Sequence, residues 1–417
     1  MRSFLFLLTR LVLAVATPAL ASDGVLEINQ SCAMQTGCFD GDMAGFPVLI
    51  TNPGSYVLTS NLSVADADTN GITIQANSVA IDLNGFEIAG PVTCTGEGST
   101  LSCSDGTGIG ISAGLPGEYN QSQVRRGAIR GFGSHGMELG FGSIAESLTA
   151  TRNGDGGLRV RRGTMRGCTA SYNGGDGIFV EFSTMTDSSA FRNRGAGIFV
   201  NGGSAIGNSS VQNGEDGFRS FANGTILRDN WTVGNAGVGI RCDSFGIGSD
   251  SCVITGNSIS NNDMGGITGP HAFLVRDNTI RGNGGPGVVG QDAFLVQGNT
   301  IRDNGGPGVV GLDTVVVRNN TIFDNEGDGA TLGLAAIVDG NAVSNNSGNG
   351  ISVNSSSNLS NNALRQNGGF GLFFLGSQSA YRDNVISINI GGTVGFGAGN
   401  VAVNAGGNVC NGLLTCP

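Results

Sequence analysis

Arg276-Asp277-Asn278-Thr279-Ile280-Arg281-Gly282-Asn283-Gly284-Gly285-Pro286-Gly287-Val288 holds the three markers that decide the fold: an asparagine, a second asparagine five residues on, and a glycine followed by an apolar residue. The glycine recurs at Gly136, Gly157, Gly177, Gly197, Gly217, Gly239, Gly266, Gly287, Gly308, Gly329, Gly350 and Gly371, at spacings of 20 to 22 with one of 27. Self-similarity at such a period is the mark of a solenoid, whose windings each bury an apolar face against the next. The residue after each glycine is almost always apolar, and in Gly157-Leu158-Arg159-Val160-Arg161 the alternation puts leucine and valine inward and both arginines outward.

The asparagines form two columns, Asn257, Asn278, Asn299, Asn320, Asn341, Asn362 and Asn384 in one, and a longer one from Asn153 to Asn389 in the other. Asparagine tolerates turn conformations, and its amide can hydrogen-bond to the same slot one winding away. Cys168 occupies the first column's slot, five residues before Asn173, which makes it a buried member of the stack and not a nucleophile. A leucine-rich repeat has a similar period, but Val, Ile, Gly, Asn, Thr and Ser fill these windings and helix formers are scarce.

These coils, and Gly71-Ile72-Thr73-Ile74 leading to Ile81-Asp82-Leu83-Asn84-Gly85, resemble the parallel β-helix repeats of the pectin-lyase-like superfamily over roughly residues 70 to 400. The resemblance implies an all-β, single-stranded right-handed parallel β-helix, here of thirteen or fourteen coils with capped ends. At ~4.8 Å per coil the rod is on the order of 65 Å long. The expected layout is a signal peptide at 1–21, an N-terminal cap at 22–70, the β-helix at 71–395 and a C-terminal cap at 396–417.

Arg2, the apolar run from Leu11 to Leu20 and the small-residue site Ala19-Leu20-Ala21 read as an export signal, placing the protein in a periplasm or outside the cell. No later segment reaches the roughly 18 apolar residues of a membrane span. Without residues 1–21 the chain keeps 19 Arg against 32 Asp plus Glu, a formal net charge of −13, which repels phosphate backbones and argues against nucleic acid. Lysine is absent, which removes every mechanism built on a lysine base, Schiff base or phosphate clamp. Eight of nine cysteines fall into close pairs suited to disulfides: Cys32 with Cys38, Cys94 with Cys103, Cys242 with Cys252, and Cys410 with Cys416.

The superfamily's resemblance implies polysaccharide substrates laid across a sheet face, so two outward columns are candidate sites. The first gathers Arg159, Arg161, Phe179, Glu181, Phe199, Asn201, Arg219, Phe221 and Arg241 from neighbouring coils. Guanidinium forks bind carboxylates and exposed rings stack on sugar faces, which suits an acidic polysaccharide; eight arginines between Arg125 and Arg166 strengthen that end. The second column is Asp250, His271, Asp292 and Asp313, where stacked carboxylates and a histidine could move a proton, beside an apolar column of Leu274, Leu295, Val316 and Ile337.

Family motifs for catalysis do not carry over. A polygalacturonase-like site needs Arg-x-Lys, and an epimerase-like site Asp-Pro-His-Glu where this chain has Gly269-Pro270-His271-Ala272. No cofactor is evident; Asp66-Ala67-Asp68-Thr69-Asn70-Gly71 starts like a calcium loop but has Asn77 at its twelfth position and reads as a turn. The leading expectation is a secreted β-helix that binds acidic polysaccharide, with a lyase or uronate epimerase as the second reading and a non-catalytic surface or adhesion protein as the third.

Overall fold

In the computed structural model the described residues are 24–113, 121–221, 224–243, 252–271, 273–414 and 416–417, so the expected signal segment at 1–21 and Asp250 lie outside them. The chain winds as a single-stranded right-handed parallel β-helix with three sheets, whose rungs pair in parallel with the equivalent strands of the neighbouring windings. In the first sheet the rungs include Ile267, Val288, Val309, Ala330, Ile351 and Leu372, each opposite the next. The second sheet runs from Leu26–Ile28, paired with Gly54–Leu58, to Ala402–Asn404 and the third from Leu62–Ser63 to Val409–Cys410. Among the described residues no helix is long and apolar enough to cross a membrane.

There are about 16 windings, not thirteen or fourteen. Val48–Ile50, Ile111–Ser112 and Gly392–Phe396 add first-sheet rungs that the glycine rhythm does not announce. The long gap between Ile72 and Ile111 arises because the winding between them carries an antiparallel hairpin, Cys94–Thr95 with Ser102–Cys103, closed by the Cys94–Cys103 disulfide. The other three expected disulfides, Cys32–Cys38, Cys242–Cys252 and Cys410–Cys416, are also formed. A six-residue helix, Gln30–Gln35, buries Ala33 in the core near the first end.

The repeat glycines serve close approach more than turning. A Cβ on Gly308 would lie 2.5 Å from Ile322 Cγ2 and 2.6 Å from the Gly329 carbonyl oxygen, so a side chain there collides with the following winding. Bending falls to single left-handed residues such as Asp277, Asn319 and Asn361, each one place ahead of a ladder asparagine. The ladders are continuous and buried: Asn257, Asn278, Asn299, Asn320 and Asn341 are each about 1 to 2% exposed. Each side-chain oxygen accepts both the backbone N–H and the side-chain amide of the asparagine one winding earlier, as Asn299 does for Asn278 at 2.9 and 3.0 Å. Two buried donors per winding are thereby satisfied by one residue.

Cys168 heads the first ladder as expected. Its N–H donates to Ser188 Oγ at 3.2 Å, and Ser188 N–H donates to Asn208 Oδ1 at 2.9 Å. Burial pushes its thiol up to about 11. The native protein is therefore expected to take up no iodoacetamide, and to react once unfolded in urea. Labelling faster than unfolding would contradict this placement.

The calcium-like string forms the turn into Ile72–Ile74. Asp66 Oδ1 accepts from Asp68 N–H at 3.1 Å, and Asp68 Oδ1 accepts from the Thr107 N–H at 2.9 Å and its hydroxyl at 3.0 Å, tying this turn to the following winding. Among the described residues no group of three or more His, Cys, Asp or Glu is arranged to hold a metal ion.

Candidate functional site

Position two of the first-sheet strands faces outward, because its neighbours on either side point into the core. Register therefore places Glu138, Arg159, Phe179, Phe199, Arg219 and Arg241 on consecutive windings, followed by Thr268. Two places along, Arg161, Glu181 and Asn201 form a parallel row. The Phe179 and Phe199 rings meet edge to face with centroids 4.9 Å apart, and Phe199 meets Phe221 at 5.2 Å. Arg159 lies over the Phe179 ring at 4.6 Å and Arg219 over Phe221 at 4.4 Å. All nine residues of the first candidate column thus share one face.

Carboxylates sit among them. Glu138 lies 3.5 Å from Arg159 and 3.7 Å from Arg161, and Glu181 lies 3.4 Å from Arg161. Asp216, only 5% exposed, takes the Arg241 fork at 2.6 and 3.3 Å. Arg219 lies 3.8 Å from Glu215 and 3.6 Å from Asp243, whose pKa burial raises against the pull of Arg241 and Arg219. The basic end expected from Arg125 to Arg166 is neutralised in the same way: Arg125 and Arg126 pair with Asp82, Arg130 with Glu87 and Arg166 with Glu146. An arginine run read along the chain misses acids that stand one winding away.

A groove follows the edge of this face where the third sheet turns into the first. Its lower part is lined by His135, Asp155, Leu158, Arg159, Asp176, Phe179 and Phe199. It continues past Gly175, Arg194, Gly195 and Glu215 to Asp216, Arg219, Arg241, Asp243 and Met264. The disulfide-closed hairpin supplies a wall: Ser99 lines the groove, Gly98 N–H donates to the Arg192 carbonyl at 3.2 Å, and Glu97 lies 3.2 Å from Arg192.

Burial also shifts His135 and Asp176 in this groove. Burial lowers the His135 imidazole, opposed by Asp155 and Glu138, and its Nε2 lies 3.9 Å from Asp155 Oδ2. Burial pushes Asp176 up to about 6; Glu215 and Asp155 raise it further, while the Ala196 N–H, donating to Oδ1 at 2.8 Å, and Arg219 lower it. Sequence reading did not single out Asp155, Asp176, Glu215 or Asp216. A signal existed: His135, Asp176 and Asp216 all stand one place before a repeat glycine, so the same slot delivers each to the same edge.

A family model described as a right-handed beta helix region matches residues 48–214 and 244–359. The chain belongs to the right-handed β-helix family. Solved structures similar to this chain include the A-module of the Azotobacter vinelandii mannuronan C-5 epimerase AlgE4, 14% identical with a TM-score of 0.40, covering 79% of this chain and 89% of that one. A mutant tailspike protein of E. coli bacteriophage HK620, in complex with a pentasaccharide, is 12% identical with a TM-score of 0.44, covering 84% of this chain and 74% of that one. No curated protein matches the chain.

In this right-handed β-helix the second candidate column also stands in register, with His271 opposite Asp292 and Asp292 opposite Asp313; Asp250 lies outside the described residues. His271 Nδ1 is 3.4 Å from Asp292 Oδ2, with side chains 36% and 44% exposed, and Asp313 Oδ1 accepts from Leu334 N–H at 3.0 Å. This is a half-exposed corner row, away from the groove. The apolar column Leu274, Leu295, Val316 and Ile337 lies outward on the second sheet, also in register.

Proposed function

We propose that the protein binds polysaccharide along the first-sheet face from Glu138 to Asp243, with the glycan chain running parallel to the rod axis. The observation that carries this reading is the row of rings, Phe179, Phe199 and Phe221, held on a solvent-facing sheet and flanked by Arg159 and Arg219. Contiguous apolar surface on an outward face marks a binding site when polar groups rim it, and here guanidinium forks and carboxylates do so. The rung spacing of ~4.8 Å is close to the length of one pyranose unit, so successive sugars can meet equivalent slots.

The finer reading is an acidic polysaccharide held by the arginines. Because carboxylates balance them, a uronate gains from bidentate contacts at particular forks and not from a net positive field. Binding is therefore expected to depend only mildly on salt, in contrast to a polyanion held by an arginine patch. Four disulfides fit an oxidising compartment, and with the signal-like start they support a periplasmic or extracellular location.

The test is retardation in gels containing alginate, polygalacturonate or xylan. Wild type is expected to be retained by at least one of them. Arg159→Ala with Arg219→Ala, and separately Phe179→Ala with Phe199→Ala, should each weaken retention by roughly tenfold or more, since each ring or fork contact is worth about 1 kcal/mol. Undiminished retention of both double variants would remove the site.

A further inference from the structure

Binding by the aromatic row makes no use of the carboxyl groups at the groove's edge. Asp155 and Asp176 come from consecutive windings, and two glycines leave the space that they fill. A Cβ on Gly175 would lie 2.2 Å from Asp155 Oδ1, and one on Gly195 would lie 2.6 Å from Asp176 Oδ1. Asp176 is oriented by the Ala196 N–H, while Asp155 is 61% exposed and reaches water. Both line the groove that Phe179 and Phe199 floor, so a glycan lying on those rings passes the two carboxyls.

We propose that this pair hydrolyses a glycosidic bond of the bound polysaccharide, with Asp176 as general acid and Asp155 as general base. The inference rests on the polysaccharide-binding reading above. As the bond between C1 and the bridging oxygen breaks, the Asp176 carboxyl gives its proton to that oxygen. A water molecule adds its oxygen to C1 and gives a proton to Asp155, and solvent restores both carboxyls to their starting states. One water is consumed, one bond is cleaved and no oxidant, metal or cofactor is required.

Two features support the division of roles. Asp176 is the more buried of the two and burial pushes its pKa up to about 6, the condition for an acid, whereas exposed Asp155 is placed to take a proton. The charged groups facing Asp176 are Asp155, Glu215, Arg194 and Arg219, with His135, whose pKa burial lowers, beyond Asp155. Hydrolysis also suits a groove in which acids balance arginines better than elimination does, because elimination needs uncompensated positive charge at a uronate carboxylate.

The experiment measures new reducing ends and gel retention together, on alginate, polygalacturonate and xylan, for wild type, Asp155→Asn, Asp176→Asn and the control Glu326→Gln, an exposed residue away from the groove. Expected is release of reducing ends from a retained polysaccharide, with an alkaline limb near pH 6. Asp176→Asn and Asp155→Asn should each lose ~100-fold or more while retention stays at the wild-type level, and Glu326→Gln should match wild type. Retention without reducing ends, wild-type rates in Asp176→Asn, or products carrying an unsaturated ultraviolet-absorbing end would overturn hydrolysis and leave binding intact. No retention of any of the three polysaccharides would sink the binding proposal and the hydrolysis with it.

Discussion

Asn299→Leu should lower stability by about 3 to 5 kcal/mol, from the orphaning of buried hydrogen-bonding groups at ~1 to 3 kcal/mol each. Asn299 is only 1% exposed, and leucine keeps its branched skeleton without any hydrogen-bonding group, its larger methyl ends adding a smaller overpacking cost. What changes is the ladder. Asn278 N–H loses its acceptor at 2.9 Å, and its amide loses one at 3.0 Å. The Val275 and Gln297 carbonyls lose the Asn299 amide at 2.9 and 3.0 Å, and Asn320 Oδ1 keeps only the backbone donor. None of these groups can turn to water, because the slot lies inside the solenoid. Thr300→Ala, one residue on but facing outward, should change stability by less than about 0.5 kcal/mol. Urea unfolding compares the two, and hydrogen exchange of the windings on either side shows whether the loss stays local, as nearest-neighbour coupling in a solenoid requires. A loss below about 1 kcal/mol for Asn299→Leu would mean that the ladder is decoration and that apolar stacking alone holds the coils.

That ladder is also why so much of the fold was legible from the sequence. Each winding must present asparagine where a buried corner needs two acceptor sites and glycine where a Cβ would come within 2.6 Å of the next winding's carbonyl oxygen, so the chain repeats itself. The outward row from Arg159 to Arg241 follows once alternation is combined with the period. The rungs at Ile111 and Val394 escaped notice because the winding before Ile111 is lengthened by a hairpin and the last windings break the rhythm. The groove was hidden for a different reason. Alternation assigns strand residues to faces, but Asp155, Asp176 and Asp216 sit in corners, where backbone geometry decides direction. Asp216 and Arg241 are 25 residues apart and meet only because a corner leans over the neighbouring winding. Nor does a loop closed by Cys94 and Cys103 announce that its tip reaches Arg192.

The same corner geometry that hides Asp176 makes it costly. A carboxyl whose pKa rises from 3.8 unfolded to about 6 folded favours folding in its protonated form and opposes it when ionised. Below about pH 4 both states are protonated and the cost vanishes. As pH climbs from 4 through 6 the unfolded chain ionises first and the cost grows. Above 6 it levels off near 3 kcal/mol by the shift alone, and at 1 to 3 kcal/mol once water reaching the groove is allowed for. Asp176→Asn keeps an oxygen for the Ala196 N–H and removes the charge. This variant should therefore be more stable than wild type at pH 7.5, with the gap closing by pH 4, in urea titrations at a series of pH values. A gap that did not change with pH would show that the carboxyl is not held unfavourably. The prediction separates cost from use: a destabilising acid beside a row of rings gains nothing in folding, and the proposed hydrolysis is the use that the groove's geometry offers it.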